Sequence, residues 1–505
     1  MLGWLGTASV LAYEPLPRPE AYGGLRPLEA SVPRLEAVPA ADISVVRLPQ
    51  VEVPATTRAQ WLEPAQMPLP PFPAEPVTTE PVVTEPFATA PAPAPVAELA
   101  NVPQPAPPSV GPAAPGGPQA EYLTLDELRA EMRKLAWSKG DYKVIPYGIF
   151  WASSSYETSR TFTGDAPFYV YSEANEGEDA FHVDAKSSRL GIDVIGPRLW
   201  PFCCAESGGK VEIDFQGSFI TENKGTVLLR HAYAEVKNED FRLLAGQTWD
   251  VMSPLNPTTL MYTIAWGAGN IGYRHAQLRG ERYIPVSDTM LLTLQGSLNH
   301  DVVNPSDYTG TTIRGDHSGW PVLMGRVGTT LGPRGPGCLP IIVGVSGHFG
   351  EQSYDFPAPL AADDATVKTW SVNADWRIPI TERFGFQGEF FSGQNLAPYL
   401  GGIIQGINPV TREGIRSTGG WGEVWYFWNP VLHSHVGYSI DDPLDQDVPN
   451  NATGRTYNEM IFANLIWDVN PKLVVGVEAT IWETQYKTQS PGESTRFEFV
   501  VKYGF

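Results

Sequence analysis

The segment Thr495–Phe505 constrains this chain most. Phe497, Phe499, Val501, Tyr503 and Phe505 fall on one face of an extended strand, while Arg496, Glu498, Lys502 and Gly504 fall on the other. A side-chain period of two makes one face apolar and the other charged. The closing strand of a bacterial outer-membrane β-barrel has this pattern, apolar towards lipid and polar towards a lumen. Tyr503 and Phe505 are therefore the expected C-terminal assembly signal, read by the barrel-assembly machinery.

The same alternation recurs upstream. Lys210, Glu212, Asp214 and Gln216 oppose Val211, Ile213 and Phe215; Ser371, Asn373, Asp375 and Arg377 oppose Trp370, Val372, Trp376 and Ile378. Sixteen such segments follow Tyr142. A soluble sandwich alternates too, so periodicity alone cannot choose. Connection lengths can. Connections after even-numbered segments are mostly short (Asn238–Asp240, Pro285–Asp288, Thr381–Arg383, Asn429–Leu432, Asn470–Lys472). Those after odd-numbered segments are mostly long (Thr161–Ala180, Met252–Gly269, His300–Gly319, Gln352–Thr366, Gly393–Glu413, Asp441–Gly454). Short turns on one rim and long loops on the other are what a membrane barrel requires. Exceptions are the longer even connections Gly196–Gly209 and Gly332–Pro340, and the short odd loop Thr221–Thr226. The expected fold is all-β, a 16-stranded antiparallel transmembrane β-barrel over 140–505, roughly 32 Å across and too wide for wall side chains to fill.

Composition divides the rest. Of 48 prolines, 26 lie in the first 120 residues, which read as a Pro/Ala-rich disordered tether with a remnant signal at 1–12. Thr124 and Glu127 have capping-box spacing ahead of Leu128, Met132 and Leu135, so 121–139 reads as a short amphipathic helix. Net charge is −21 with no basic tract, which argues against nucleic acid as a partner. No apolar run is long enough for a transmembrane helix. Cys203, Cys204 and Cys338 are too few for a disulfide framework, and the turns carrying them are too far apart to bridge.

The candidate constriction is the connection Met252–Gly269, which carries no charge and contains Leu260, Met261, Tyr262 and Trp266. Such a loop suits the barrel interior better than bulk water; a lid or subunit contact is the other reading. Expected channel-lining residues are Arg230, Arg242, His275, Arg279, Glu281, Asp375, Arg377, Glu389 and Glu423, with Glu478 a further wall carboxylate. Arg274 and Arg282 have lipid-face parity near strand ends, while the parity of Arg230 and Arg242 is ambiguous. His433 and His435 share a strand face able to hold a metal, but without a third ligand nearby they read as polar lining. No GxSxG or HExxH occurs, so no enzyme, metal or cofactor is expected.

Three segments, RHAYAEV (Arg230–Val236), GQTWDVMSP (Gly246–Pro254) and GNIGYRHAQLRGERY (Gly269–Tyr283), resemble the DcaP-like porins, especially the long versions in planctomycete envelopes. The resemblance spans roughly Leu128 to Phe505. It implies a trimeric sixteen-stranded diffusion porin with a helical segment ahead of the barrel and an inward-folded third loop. It further implies small, often anionic solutes and basic channel residues at Arg230, Arg242 and Arg279. The Pro-rich first 120 residues depart from the smaller members. The sequence therefore reads as an outer-membrane porin passing small hydrophilic solutes, with the tether in the periplasm. The alternatives are a structural barrel anchored through the tether and, behind it, a barrel enzyme.

Overall fold

The computed structural model describes residues 137–202, 204–217, 225–300, 314–317, 319–334, 338–355 and 365–505. The proposed tether and capping box lie outside them. Sixteen strands form one antiparallel, closed barrel. They are β1 (Tyr142–Glu157), β2 (Ala180–Asp184 and Arg189–Leu199), β3 (Ala205–Asp214), β4 (Leu228–Lys237), β5 (Phe241–Trp249), β6 (Arg274–Ser287), β7 (Met290–Asn299) and β8 (Arg314–His317 and Val322–Leu331). The second half comprises β9 (Ile341–Asp355), β10 (Ala365–Pro379), β11 (Phe384–Gln394), β12 (Arg416–Asn429), β13 (Leu432–Pro443), β14 (Arg455–Asn470), β15 (Leu473–Tyr486) and β16 (Gly492–Gly504). Each strand pairs with its sequence neighbours, and β16 returns to β1 in the register Ile149↔Gly504 to Glu157↔Arg496. Closure leaves no unpaired edge, which a bilayer without water to satisfy backbone groups requires. One part of the expected helix is corrected: Trp137–Lys139 is extended and pairs with the start of β1, Trp137 opposite Val144.

Side-chain parity runs as the closing strand suggested. Phe497 and Phe499 are 54% and 46% exposed on the outer face, whereas Arg496 and Lys502 on the inner face are 1% and 7% exposed. The burial order of a soluble protein is thus inverted on the strands, because the outer face meets acyl chains.

The rims follow the expected parity with two corrections. Gly196–Gly209 is not a long connection: Arg198↔Glu206 and Leu199↔Ala205 extend the β2–β3 ladder to a tight turn. The second odd connection is longer than Thr221–Thr226, since β3 ends at Asp214 and β4 begins at Leu228. Cys204 and Cys338 are free thiols.

Among the described residues, three loops of the long rim enter the barrel, where the sequence suggested one. Loop 1 (158–179), loop 3 (250–273) and loop 6 (395–415) contribute Phe168, Tyr169, Tyr262, Trp266, Leu400, Ile403 and Ile404 to one apolar cluster. Gly267 and Gly272 of loop 3 donate to the carbonyls of Leu400 and Tyr399 in loop 6, at 2.7 and 2.9 Å. This cluster is formed largely between loops, while others pack loop 3 on strand side chains, as Met261 does on Met460, Phe462 and Trp482.

Candidate channel constriction

An inward loop without charge brings backbone N–H groups into the lumen, and each needs an acceptor. Wall carboxylates supply them. Leu255 N donates to Glu389 Oε1 (2.7 Å), Thr258 N and Oγ1 donate to Glu423 (2.6 and 2.7 Å), and Leu260 N donates to Glu478 Oε2 (2.9 Å). These glutamates stand on β11, β12 and β15, so loop 3 is fixed along an arc of wall. Asn464 Nδ2 reaches the carbonyl of Thr258 at 2.6 Å, and Tyr262 OH donates to Asp214 Oδ2 at 2.7 Å. The bonds to the Glu423 carboxylate are charge-assisted, a class about twice as strong as neutral ones. The three glutamates, expected to confront the solute, instead anchor loop 3.

Within the constriction-loop candidates the side chains divide. Leu260 packs on Trp151, Ile466 and Val500, and Met261 on Met460, Phe462 and Trp482. Tyr262 and Trp266, with Leu255–Thr259 and Ile264, line a cavity that opens to solvent. Arg189, Arg230, Arg274, Arg377 and Lys502 also line it, and Glu423 is the carboxylate among its lining residues. With Glu423 committed to Thr258, the cavity wall is cationic.

Aromatic faces hold these cations. Lys502 Nζ lies 3.6 Å and the Arg189 guanidinium carbon 5.4 Å from the Trp151 ring centre; Arg377 lies 5.4 Å from that of Trp425. Arg274 lies against three rings, Trp249 at 4.7 Å, Tyr273 at 5.0 Å and Trp266 at 5.8 Å. It is 1% exposed, and none of its three side-chain nitrogens has a hydrogen-bond partner. A ring quadrupole holds a cation in place without neutralising it, so its field still reaches an anion in the cavity.

Arg274 corrects its assignment to the lipid face. It opens β6 directly after loop 3, where the inward-folded chain turns both Arg274 and His275 to the interior before alternation begins. Arg230 also points inward, because the β3–β4 register slips between Glu212 and Ile213 and leaves an extra residue on β4. A bulge of this kind explains the ambiguous parity. Arg230 is paired with Glu212 (2.6 Å) and Asp214 (2.7 Å).

Other candidate residues are paired within the wall. Arg242 bridges Glu235 (2.7 Å) and Glu281 (3.2 Å), and Arg279 meets Glu281 at 3.4 Å and the carbonyl of Trp249. His275 Nδ1 lies 2.8 Å from Asp250, and Asp375 pairs with Arg326 at 2.6 Å. These four are not among the cavity-lining residues. Arg189, Lys502 and Trp151 complete the cationic wall and were missed as candidates. The inward parity of Lys502 on the closing strand was the available signal.

A closed sixteen-stranded barrel with an apolar exterior, a charged interior and a third loop fixed across the lumen has the architecture of an outer-membrane porin. Residues 139–326 match the family model described as DcaP outer membrane protein. The crystal structure of the outer membrane channel DcaP of Acinetobacter baumannii is similar in fold, with 19% identity and a TM-score of 0.56 over 73% of this chain and 99% of that one. OprB of Pseudomonas putida is 9% identical at a TM-score of 0.47, covering 75% of this chain and 96% of its own. An anion-selective porin from Comamonas acidovorans is 12% identical at a TM-score of 0.46, covering 72% and 100%. Comparison with curated proteins finds no match.

Proposed function

We propose that the protein is a passive outer-membrane porin of the DcaP type that favours small anionic solutes. The observation that carries this reading is the cationic wall facing a neutral, anchored loop 3, with Arg274 buried and lacking a hydrogen-bond partner. Solutes move down their gradients, selected by width and charge, without covalent chemistry. Arg274 and Arg377 act on the solute, while Arg230, Arg242, His275, Arg279, Glu281 and Asp375 hold the wall and Glu389 and Glu423 hold the loop. The matched family segment supports the DcaP type, and the Pro-rich leading residues are the feature that points to its longer, planctomycete-type form. A homotrimer, a periplasmic tether and insertion by the barrel-assembly machinery complete the proposal.

Reconstitution into planar bilayers tests it. Stepwise conductance with a reversal potential on the anion side is expected under a KCl gradient. A silent barrel would favour the anchored structural alternative, and cation preference would remove the role given to the arginines.

A further inference from the structure

Below the loop 3 anchor, towards the short-turn rim, four side chains form a line along the wall. His435 Nδ1 is 3.2 Å from Glu423 Oε1, His433 Nδ1 is 2.9 Å from His435 Nε2, and His433 Nε2 is 3.6 Å from Asp468 Oδ2. Both histidines line the cavity, and Phe427 stacks on His433 with ring centres 4.9 Å apart. All four members of the line are buried.

The contacts fix the protons. A carboxylate only accepts, so His435 carries its hydrogen on Nδ1 and gives it to Glu423. When that ring is neutral its Nε2 is an acceptor, and the 2.9 Å contact requires His433 to donate from Nδ1. His433 Nε2 is then a bare lone pair facing Asp468. The 3.6 Å separation from Asp468 Oδ2 is longer than a hydrogen bond, and His433 Nε2 has no other partner.

The line has room for one more proton, and whichever ring nitrogen of the 2.9 Å contact then donates, His433 Nε2 ends with a hydrogen facing Asp468. On His433 Nε2, a proton turns an unfavourable lone-pair contact into a charge-assisted bond to Asp468 and leaves the rest of the line unchanged. A second proton would belong on His435 Nε2, where it would point at the N–H of His433; the ring contact excludes it while the line persists. The charged groups facing the pair are Glu423 from β12, Asp468 from β14 and Arg377 from β10, which shares the cavity and interacts electrostatically with Glu423. The packed part of loop 3, Met252–Gly269, adds none.

We propose that the His433–His435 pair is a single-proton switch that adds one positive charge to the cavity wall as pH falls through the imidazole range. It makes the channel more anion-preferring in acid. The switch rests on the channel reading and goes beyond it, because the wall arginines keep their charge between about pH 8 and 5; Lys502, the lysine among the cavity-lining residues, is told apart from the pair by the His433→Gln comparison.

The test is the reversal potential of the full-length protein in planar bilayers under a KCl gradient, followed from pH 8 to 5. In the unmodified protein the chloride-to-potassium permeability ratio is expected to rise about fivefold in one step, since one charge about 8 Å away in water favours chloride and disfavours potassium by about twofold each. His433→Gln should remove the step. Asp468→Asn should keep it but move it to lower pH, since the carboxylate no longer stabilises the protonated ring. A step that persists in His433→Gln, or does not move in Asp468→Asn, overturns the switch. Should His433→Gln fail to insert, the Asp468→Asn displacement decides alone. Absence of conductance at every pH would instead overturn the channel reading itself.

Discussion

Thr258 is held by Glu423 through two bonds, backbone N at 2.6 Å and Oγ1 at 2.7 Å. One carboxylate thereby fixes both the main chain and the side chain of the loop that narrows the lumen. Hydrogen bonds to charged groups contribute about 1.5–3 kcal/mol each. Glu423→Ala removes both, while Leu255 and Leu260 keep their own glutamates. Loop 3 should loosen locally rather than leave the wall. The expected readout is increased open-channel noise and a higher mean conductance in single-channel recordings. An unchanged trace would show that loop 3 does not limit the pathway.

Arg274 and Arg279 make a matched pair of opposite expectation. Arg274 reaches the cavity without a hydrogen-bond partner; Arg279 is held by Gln277, Glu281 and the carbonyl of Trp249. Arg274→Gln should lower the anion preference at least twofold in reversal-potential measurements, on the scale of a single lumenal charge. Arg279→Gln should change it less and lower the temperature at which the barrel loses heat-modifiable mobility on gels. Equal effects on selectivity would mean that pairing does not neutralise the wall arginines.

The contrast between these residues marks what the sequence could reveal. Parity along β16 placed Lys502 inward and Phe499 outward, and the lengths of connections separated the two rims. Both follow from a period of two and one closed sheet. Arg274 and Arg230 escaped because alternation breaks at a strand start and at a register slip, and neither leaves a signature in residue type. The cation–aromatic contacts escaped for another reason: Trp151 meets Lys502 only when the last strand closes on the first. Loops 1 and 6 were legible as long but not as inward-folded, since their apolar residues find each other only in three dimensions.

Gly269 has φ +115°, and a Cβ there would come within 2.3 Å of the Gly420 carbonyl and 2.6 Å of Ile440 N. The returning arm of loop 3 runs against the backbone of β12 and β13 at this point. Gly269→Ala should cost about 1–3 kcal/mol in backbone strain, besides the displacement from the wall. Folding of the barrel should survive, because the strands do not depend on this residue. Conductance should become heterogeneous, with several levels in place of one, and a single unaltered level would show that the close approach is dispensable.

Asp447, in the connection between β13 and β14, accepts from Arg416 Nε (2.7 Å), Nη2 (3.0 Å) and N (3.3 Å). The Arg416 side chain holds its carboxyl below the ordinary value. A depressed value in the folded state means that the released loop binds more protons, so its docking strengthens with rising pH. The contribution is complete above the ordinary carboxylate value of about 3.9 and is lost as pH falls through the lowered one. Hydrogen exchange across 444–450, corrected for intrinsic rates, should therefore show protection at pH 6 that disappears in strong acid. Asp447→Asn should flatten that dependence, and a parallel loss in both proteins would assign the effect elsewhere.

Phe505 closes the barrel twice over. Its N donates to the Gly148 carbonyl at 3.0 Å, and its carbonyl accepts from Gly148 N at 3.3 Å. Its ring centre stands 5.1 Å from that of Phe150, in space that a Cβ on Gly148 would enter at 2.3 Å. Removing Phe505 deletes two ladder bonds and the ring filling the seam between first and last strands, at one end of the β1–β16 ladder. Gly148→Val should act through the same seam by expelling the ring while leaving the C-terminus intact. Both variants should give less heat-modifiable barrel in membrane fractions. The comparison separates packing from recognition: a defect in the deletion alone would assign Phe505 to the assembly signal, whereas equal defects would assign it to closure of the seam.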